Sequence, residues 1–211
     1  MKHWDLIIFD CDGVLVDSEP ISNGVFAEMA REYGARITNE EALNLFAGTN
    51  LGFCMKYVEK QIGKRLPKDF DQQYRKKSFE AFEKELKPVE GIEMVLKDLK
   101  YPFCVASNGP KNKVEFNLSN TNLLSYFNGK IFSAYDLKAW KPDPTLFLTA
   151  AKHFNAEPEK CLVIEDSLAG VKAGIAANMT VLSFAHGRNI EILKDAGAKT
   201  FQKMEELKDL I

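Results

Sequence analysis

Cysteine, histidine and tryptophan are scarce in this chain of 211 residues, at four, three and two copies. The cysteines, Cys11, Cys54, Cys104 and Cys161, show no C-x-x-C spacing and no histidine cluster accompanies them. That argues against structural zinc and thioredoxin-like redox chemistry. Cys104 and Cys161 fall in strand-like runs and read as small buried hydrophobes. Cys11 lies between two carboxylates, whose negative potential raises a thiol pKa, so it is a poor nucleophile. His3, His153 and His186 are far apart and follow no metal pattern, and surface or core roles are expected for them. An excess of positive charge is missing too: the formal net charge is −2, which gives no support for a nucleic-acid partner. No apolar run is long enough to span a bilayer, and the one before Asp10 is too short for the core of a signal peptide. A cytoplasmic protein without a membrane partner is therefore expected. There is no internal repeat and no low-complexity segment.

What is present is a composition, 45% hydrophobic and 27% charged, that supports one domain with a sizeable core plus an insertion. The run Asp5-Leu6-Ile7-Ile8-Phe9 reads as a buried strand whose carboxyl end delivers Asp10 to the rim of a sheet, where open α/β sheets bind ligands. Asp12 follows two residues later, with Gly13 at the bend. Three further stretches end strands or open helices with reactive groups: Val105-Ala106-Ser107-Asn108-Gly109, Lys141-Pro142-Asp143-Pro144, and Leu162-Val163-Ile164-Glu165-Asp166-Ser167. Taken singly, Asp-x-Asp and Ser-Asn-Gly-Pro are also ordinary turn chemistry, and Lys141 is also an ordinary solvated charge.

Together and in this order, the four stretches resemble the motifs of the haloacid dehalogenase-like phosphohydrolases, over essentially the whole chain. The resemblance implies a doubly wound α/β core with a parallel, Rossmann-like sheet and an inserted all-α cap. It also implies Mg²⁺ as cofactor, the backbone carbonyl of Asp12 among its ligands, and a cis bond before Pro142.

The element pattern agrees with that architecture. Helices are predicted from the loop at Asp17 to Tyr33, from the capping box at Thr38-Asn39-Glu40-Glu41 through Phe46, from about Asn50 to Gln61, and from Lys68 to Leu86. With no strand among them, residues 17–86 read as the inserted cap, and residues 1–16 and 87–211 as the core. Hinges are expected near Leu15 to Glu19 and Lys87 to Gly91. Strands Phe103 to Ser107, Lys130 to Ser133, Cys161 to Glu165 and Thr180 to Phe184 then alternate with helices, one of them capped by Asp143 with Pro144 at its first position. A short strand at Thr200-Phe201 and a helix from Met204 to Leu210 follow. This alternation predicts a parallel sheet with right-handed crossovers.

The chemistry expected is phosphoryl transfer. A carboxylate and one unit of phosphoryl charge about 3.5 Å apart repel by roughly 5 kcal/mol at an effective dielectric near 20, so attack needs cations. Lys141 supplies one, and Asp10, Asp166 and Glu165, with Asp12, supply the oxygen-only ligands that Mg²⁺ prefers. Asp10 is the expected nucleophile, Asp12 the general acid and then base, and Lys141 the charge that neutralises the phosphoryl oxygens. Gly13, Ser107, Asn108 and Lys141 are the expected substrate-binding residues. Trp140 is read as packing, and the eight basic against three acidic residues of Lys56 to Lys77 as a solvated helix face.

The mutase branch of the family carries a His twelve residues after the nucleophile and a Lys-Gly-x-x-Arg loop in the cap. Here those positions are Ser22 and Ala47-Gly48-Thr49-Asn50-Leu51, so a second phosphate lacks its clamp. Asp12 disfavours the dehalogenating and phosphonatase branches, which have no carboxylate there. The expectation is therefore a monomeric phosphatase acting on a small-molecule phosphomonoester. The Ser107 and Tyr135-to-Pro142 stretches resemble phosphatases of sugar-acid phosphates such as 6-phosphogluconate.

Overall fold

A computed structural model of the chain describes residues 3–185 and 190–211; His186 lies outside them. The chain divides into two compact units, residues 1–16 with 88–211, and residues 17–87.

The first unit begins with β1 (Leu6–Phe9), four apolar residues all buried. The chain then passes through the second unit, which is helical among its described residues: α1 (Glu19–Glu32), α2 (Asn39–Phe46), α3 (Leu51–Ile62) and α4 (Phe70–Glu85). Thr38 caps α2 with the full reciprocal capping box to Glu41. Gly63, in the left-handed region, ends α3, as the position of that glycine predicts. The four helices close around Phe26, whose ring meets Phe46, Phe70 and Tyr74 edge-on with centroids 5.3 to 5.9 Å apart. Such pairs add to the burial of apolar area that holds the unit together.

On return to the first unit, Val16 pairs with Pro88 as an isolated antiparallel bridge. There follow α5 (Ile92–Asp98), β2 (Phe103–Ser107), α6 (Lys111–Asn120), α7 (Leu124–Phe127), β3 (Ile131–Ser133), α8 (Ala134–Leu137) and α9 (Thr145–His153). The chain continues with β4 (Cys161–Glu165), α10 (Leu168–Ala176), β5 (Thr180–Phe184), α11 (Ile190–Asp195), β6 (Lys199–Phe201) and α12 (Leu207–Leu210). The six strands form one sheet in the order β3-β2-β1-β4-β5-β6, every pair parallel. The doubly wound parallel sheet expected from the sequence is thus the observed one.

The predicted elements differ in detail. α7 and α8 were not anticipated, because four residues are too few to display a helical period. α9 starts at Thr145 rather than Pro144, yet Asp143 does the expected work, its Oδ1 accepting the Thr145 N–H at 2.8 Å. Residues 204–206 are a 3₁₀ turn, with only Leu207–Leu210 α-helical. Among the described residues no helix is long and apolar enough to cross a membrane.

Sheet periodicity decides where the reactive groups go. Leu6 and Ile8 of β1, Cys104 and Ala106 of β2, and Cys161 and Val163 of β4 pack with Leu146, Phe147, Ala150 and Ala151 of α9 in one buried cluster. Side chains two apart along a strand share a face. Asp10 and Glu165 therefore continue, at the carboxyl ends of β1 and β4, the face that α9 covers. β1 lies between β2 and β4, where the strand order reverses, and that reversal opens a crevice at the carboxyl edge of a doubly wound sheet.

Candidate active site

Asp10 follows β1, is only 9% exposed, and its N–H donates to Ile164 O on β4 at 2.9 Å. Lys141 comes in beneath it from the loop before α9, through a cis Lys141-Pro142 peptide. Its ammonium is buried, donates to Ala106 O at 2.9 Å and Glu165 Oε1 at 2.6 Å, and forms an ion pair with Asp10 Oδ1 at 2.9 Å. The cation also sits 4.9 Å from the Phe147 ring centre.

Glu165 is fully buried and both its oxygens are engaged. Oε1 takes the Lys141 ammonium, while Oε2 accepts from Asp166 N, Ser167 N and Ser167 Oγ, each at 2.9 Å. Ser167 in turn caps α10 by accepting from Gly170 N. A Cβ on Gly170 would overlap the Glu165 carboxylate, so the helix can approach this closely only with glycine there.

One ammonium cannot neutralise two buried carboxylates, and Asp10 carries the imbalance. Burial first, then the charges of Glu165 and Asp12, push its carboxyl up to about 7 against the pull of Lys141. Burial draws Lys141 down, but Asp10 and Glu165 outweigh it and hold the ammonium above the usual lysine range.

Asp10, Glu165 and Asp166 each bring a carboxylate oxygen within 4.8 Å of the others. The buried Asp10 Oδ1 has no aligned hydrogen bond, its contact with Lys141 being electrostatic. An all-carboxylate oxygen set with surplus negative charge and a buried oxygen lacking a hydrogen bond fits a hard divalent cation such as Mg²⁺. Proton and cation then compete for Asp10. In the cation-free protein the folded form holds a proton that the unfolded chain releases above the ordinary aspartate pKa of 3.8. This contribution to stability is full below that value, declines as pH rises, and is lost above about 7. Saturating Mg²⁺ should accordingly raise the melting temperature more at pH 8 than at pH 5, as differential scanning fluorimetry can measure.

Gly13 sits at φ +77°, and a Cβ there would overlap the Asp166 carboxylate. Its N–H donates to Val16 O at 2.9 Å, so this glycine shapes the turn and makes room for Asp166 rather than offering a donor to a ligand. Gly13→Ala is expected to displace Asp166 and weaken Mg²⁺ binding on the order of tenfold or more, read by isothermal titration.

Ser107 is buried at the end of β2, its Oγ accepting from Gly109 N at 3.0 Å, which leaves its own O–H to donate. Asn108 braces the Lys141 backbone: its Oδ1 accepts the Lys141 N–H at 2.8 Å. Its side chain therefore acts on Lys141 and not outward. Trp140 is half-exposed and meets Tyr135 edge-on at 5.5 Å. Cys11 is buried, and that burial, with the Asp12 charge, pushes its thiol well above the ordinary range.

Asp12 lies past the bend, where two residues of α6 hold it. Lys113 Nζ is 2.7 Å from Asp12 Oδ2, and Asn117 Nδ2 donates to Oδ1 at 3.3 Å. Neither residue stood out in the sequence. The spacing of four places them on one helix face, but nothing in the composition says which carboxylate that face meets.

The profile of the haloacid dehalogenase-like hydrolases matches residues 7–184. The 6-phosphogluconate phosphatase of Escherichia coli (strain K12) is 36% identical over 211 residues, 100% of this chain and 96% of that one. A conserved haloacid dehalogenase-like protein of unknown function from Agrobacterium tumefaciens superposes with a TM-score of 0.92 at 34% identity, covering 98% of this chain and 97% of the other. A family hydrolase from Deinococcus radiodurans, solved with bound phosphate and sodium, superposes at 0.86 with 27% identity, over 100% and 96% of the two chains. Matched from β1 to the end of β5, this chain belongs to the haloacid dehalogenase-like hydrolase family.

Proposed function

We propose that this phosphoric monoester hydrolase cleaves a small phosphorylated sugar or sugar acid in two steps, through an aspartyl-phosphate on Asp10. The observation that carries the proposal is the convergence of Asp10, Lys141, Glu165 and Asp166 at the carboxyl ends of β1 and β4, with Asp12 two residues beyond the nucleophile. The phosphatase relative at 36% identity supports the substrate class.

In the first step an Asp10 oxygen forms a bond to phosphorus while the bond to the leaving oxygen breaks, and protonated Asp12 gives that oxygen its proton. In the second, ionised Asp12 takes a proton from water as the water oxygen attacks phosphorus. The Asp10–phosphorus bond breaks, phosphate leaves, and Asp12 ends protonated as it began. Asp10, Asp166 and the Asp12 carbonyl would hold Mg²⁺, which would supply charge neutralisation for the phosphoryl oxygens. Glu165, with both oxygens engaged, acts as the anchor of Lys141 rather than as a ligand. Lys141 lowers the repulsion between nucleophile and phosphoryl group, and the Ser107 hydroxyl donates to a transferring oxygen.

Residues 17–87 are assigned as the cap that selects the leaving group. A cavity of about 60 Å³ within that unit is lined in part by Glu19, Ser22, Asn23, Thr49 and Tyr74, a polar set suited to hydroxyl groups. Ser22, at the position of the mutase His, donates to Ser18 O and Glu19 O within its own helix, which supports water over a second sugar as acceptor.

The test is phosphate release from a panel of phosphorylated metabolites with Mg²⁺, ranked by kcat/KM and repeated with EDTA. Sugar or sugar-acid phosphates should lead and EDTA should abolish turnover. Conversion of glucose 1-phosphate to glucose 6-phosphate with a bisphosphate primer and no inorganic phosphate would make it a mutase. No turnover of any ester would leave a phospho-ligand sensor.

A further inference from the structure

We infer that Lys113 and Asn117 of α6 are positioning residues that set the orientation of Asp12 for proton transfer to the leaving oxygen. The inference rests on the reading of Asp12 as the acid and base. Asp12 follows β1 and α6 follows β2, and the parallel pairing of those two strands brings the helix alongside the carboxylate. Lys113 Nζ engages Oδ2 at 2.7 Å and Asn117 Nδ2 engages Oδ1 at 3.3 Å. One donor on each oxygen fixes the rotation of the carboxylate plane as well as its place, which a single donor does not do.

Asn117 makes the stronger case. It is fully buried on the apolar face of α6, beside Val114 and Leu118, where a hydrocarbon side chain would pack without leaving a polar atom unmet. Its Oδ1 has no hydrogen-bond partner. The amide is turned so that its N–H meets Asp12, the only orientation in which it attracts a carboxylate. A buried amide with one end unsatisfied is a cost to folding, and the contact that accounts for its presence is the one to Asp12.

Orientation of the acid matters in proportion to how much the leaving oxygen needs a proton. An alkoxide leaves poorly without one, whereas p-nitrophenolate leaves readily. Loss of either donor should therefore slow alkyl phosphates and spare the aryl ester, a split that a general loss of structure would not produce. The experiment compares kcat on the best sugar phosphate of the panel with kcat on p-nitrophenyl phosphate for Asn117→Leu, Lys113→Met and Lys113→Arg, with the melting temperature of each.

Asn117→Leu is expected to keep or raise the melting temperature while lowering kcat on the sugar phosphate on the order of tenfold and on the aryl ester by no more than about twofold. Lys113→Met should show the same selective loss, and Lys113→Arg should retain most of the sugar phosphate rate. Equal losses on both esters, or none on either, with wild-type protein active on both, would overturn this inference alone. Wild-type protein releasing phosphate from neither would remove the hydrolase reading and the inference with it.

Discussion

Asp10→Asn abolishes turnover, with kcat falling on the order of 10⁴ or more while the protein stays folded. The size of the loss follows from the role: an amide cannot form the acyl phosphate, and groups acting as a unit at a reaction centre lose nearly all the rate when one is removed. The folding side follows from the charges. Asn at position 10 leaves Lys141 and Glu165 as a neutral pair 2.6 Å apart and removes the carboxyl that burial had pushed up to about 7. The cation-free variant should melt no lower than the wild type at pH 8, and Mg²⁺ should give it little added stability. Burst or steady-state phosphate assays read the first effect and scanning fluorimetry the second. Activity within tenfold of wild type would remove Asp10 from the nucleophile role.

Lys141→Met has the largest expected effect on stability. The ammonium is the shared partner of Asp10 and Glu165 and donates to Ala106 O, and Glu165 is fully buried. Removing one partner of a buried ion pair leaves a charge without compensation, at a cost of about 3–5 kcal/mol. Catalysis should fall with it, since the repulsion between carboxylate and phosphoryl group is no longer offset. Adding Glu165→Gln to Lys141→Met should recover part of the stability and none of the activity, because it removes the stranded charge without restoring the cation. Urea denaturation of the single and double variants measures this. A loss under about 1 kcal/mol in the single variant would mean that the pair is solvated rather than buried.

The strands that carry the site were legible because each is a short apolar run that stops at a polar residue. In a parallel sheet covered on both faces, that break marks the carboxyl edge. Leu6 to Phe9 before Asp10, and Cys161 to Ile164 before Glu165, show it plainly. The role of Glu165 could not be read in the same way. Its type and place suggest a metal ligand, and only the fold reveals that its oxygens also accept from Lys141, Asp166 N and Ser167. Asn108 is similar: its turn-forming sequence is apparent, but its brace on Lys141 spans 33 residues. Lys113 and Asn117 were invisible for a further reason. A lysine and an asparagine four apart on a helix look like a solvated stripe, and the strand order alone decides that Asp12 lies against them.

The pairing of β1 bears on how the chain is made. Ile7 lies between Phe103 on one side and Leu162 on the other, so a strand made before both of its partners must wait for more than 150 further residues before both its edges are covered. Long-range parallel pairing of this kind slows folding and leaves hydrophobic edges open to other chains in the meantime. A nascent chain stalled before Cys161 would carry Leu6 to Phe9 with one flank bare, and such truncated products are the ones expected to aggregate or to be held by chaperones.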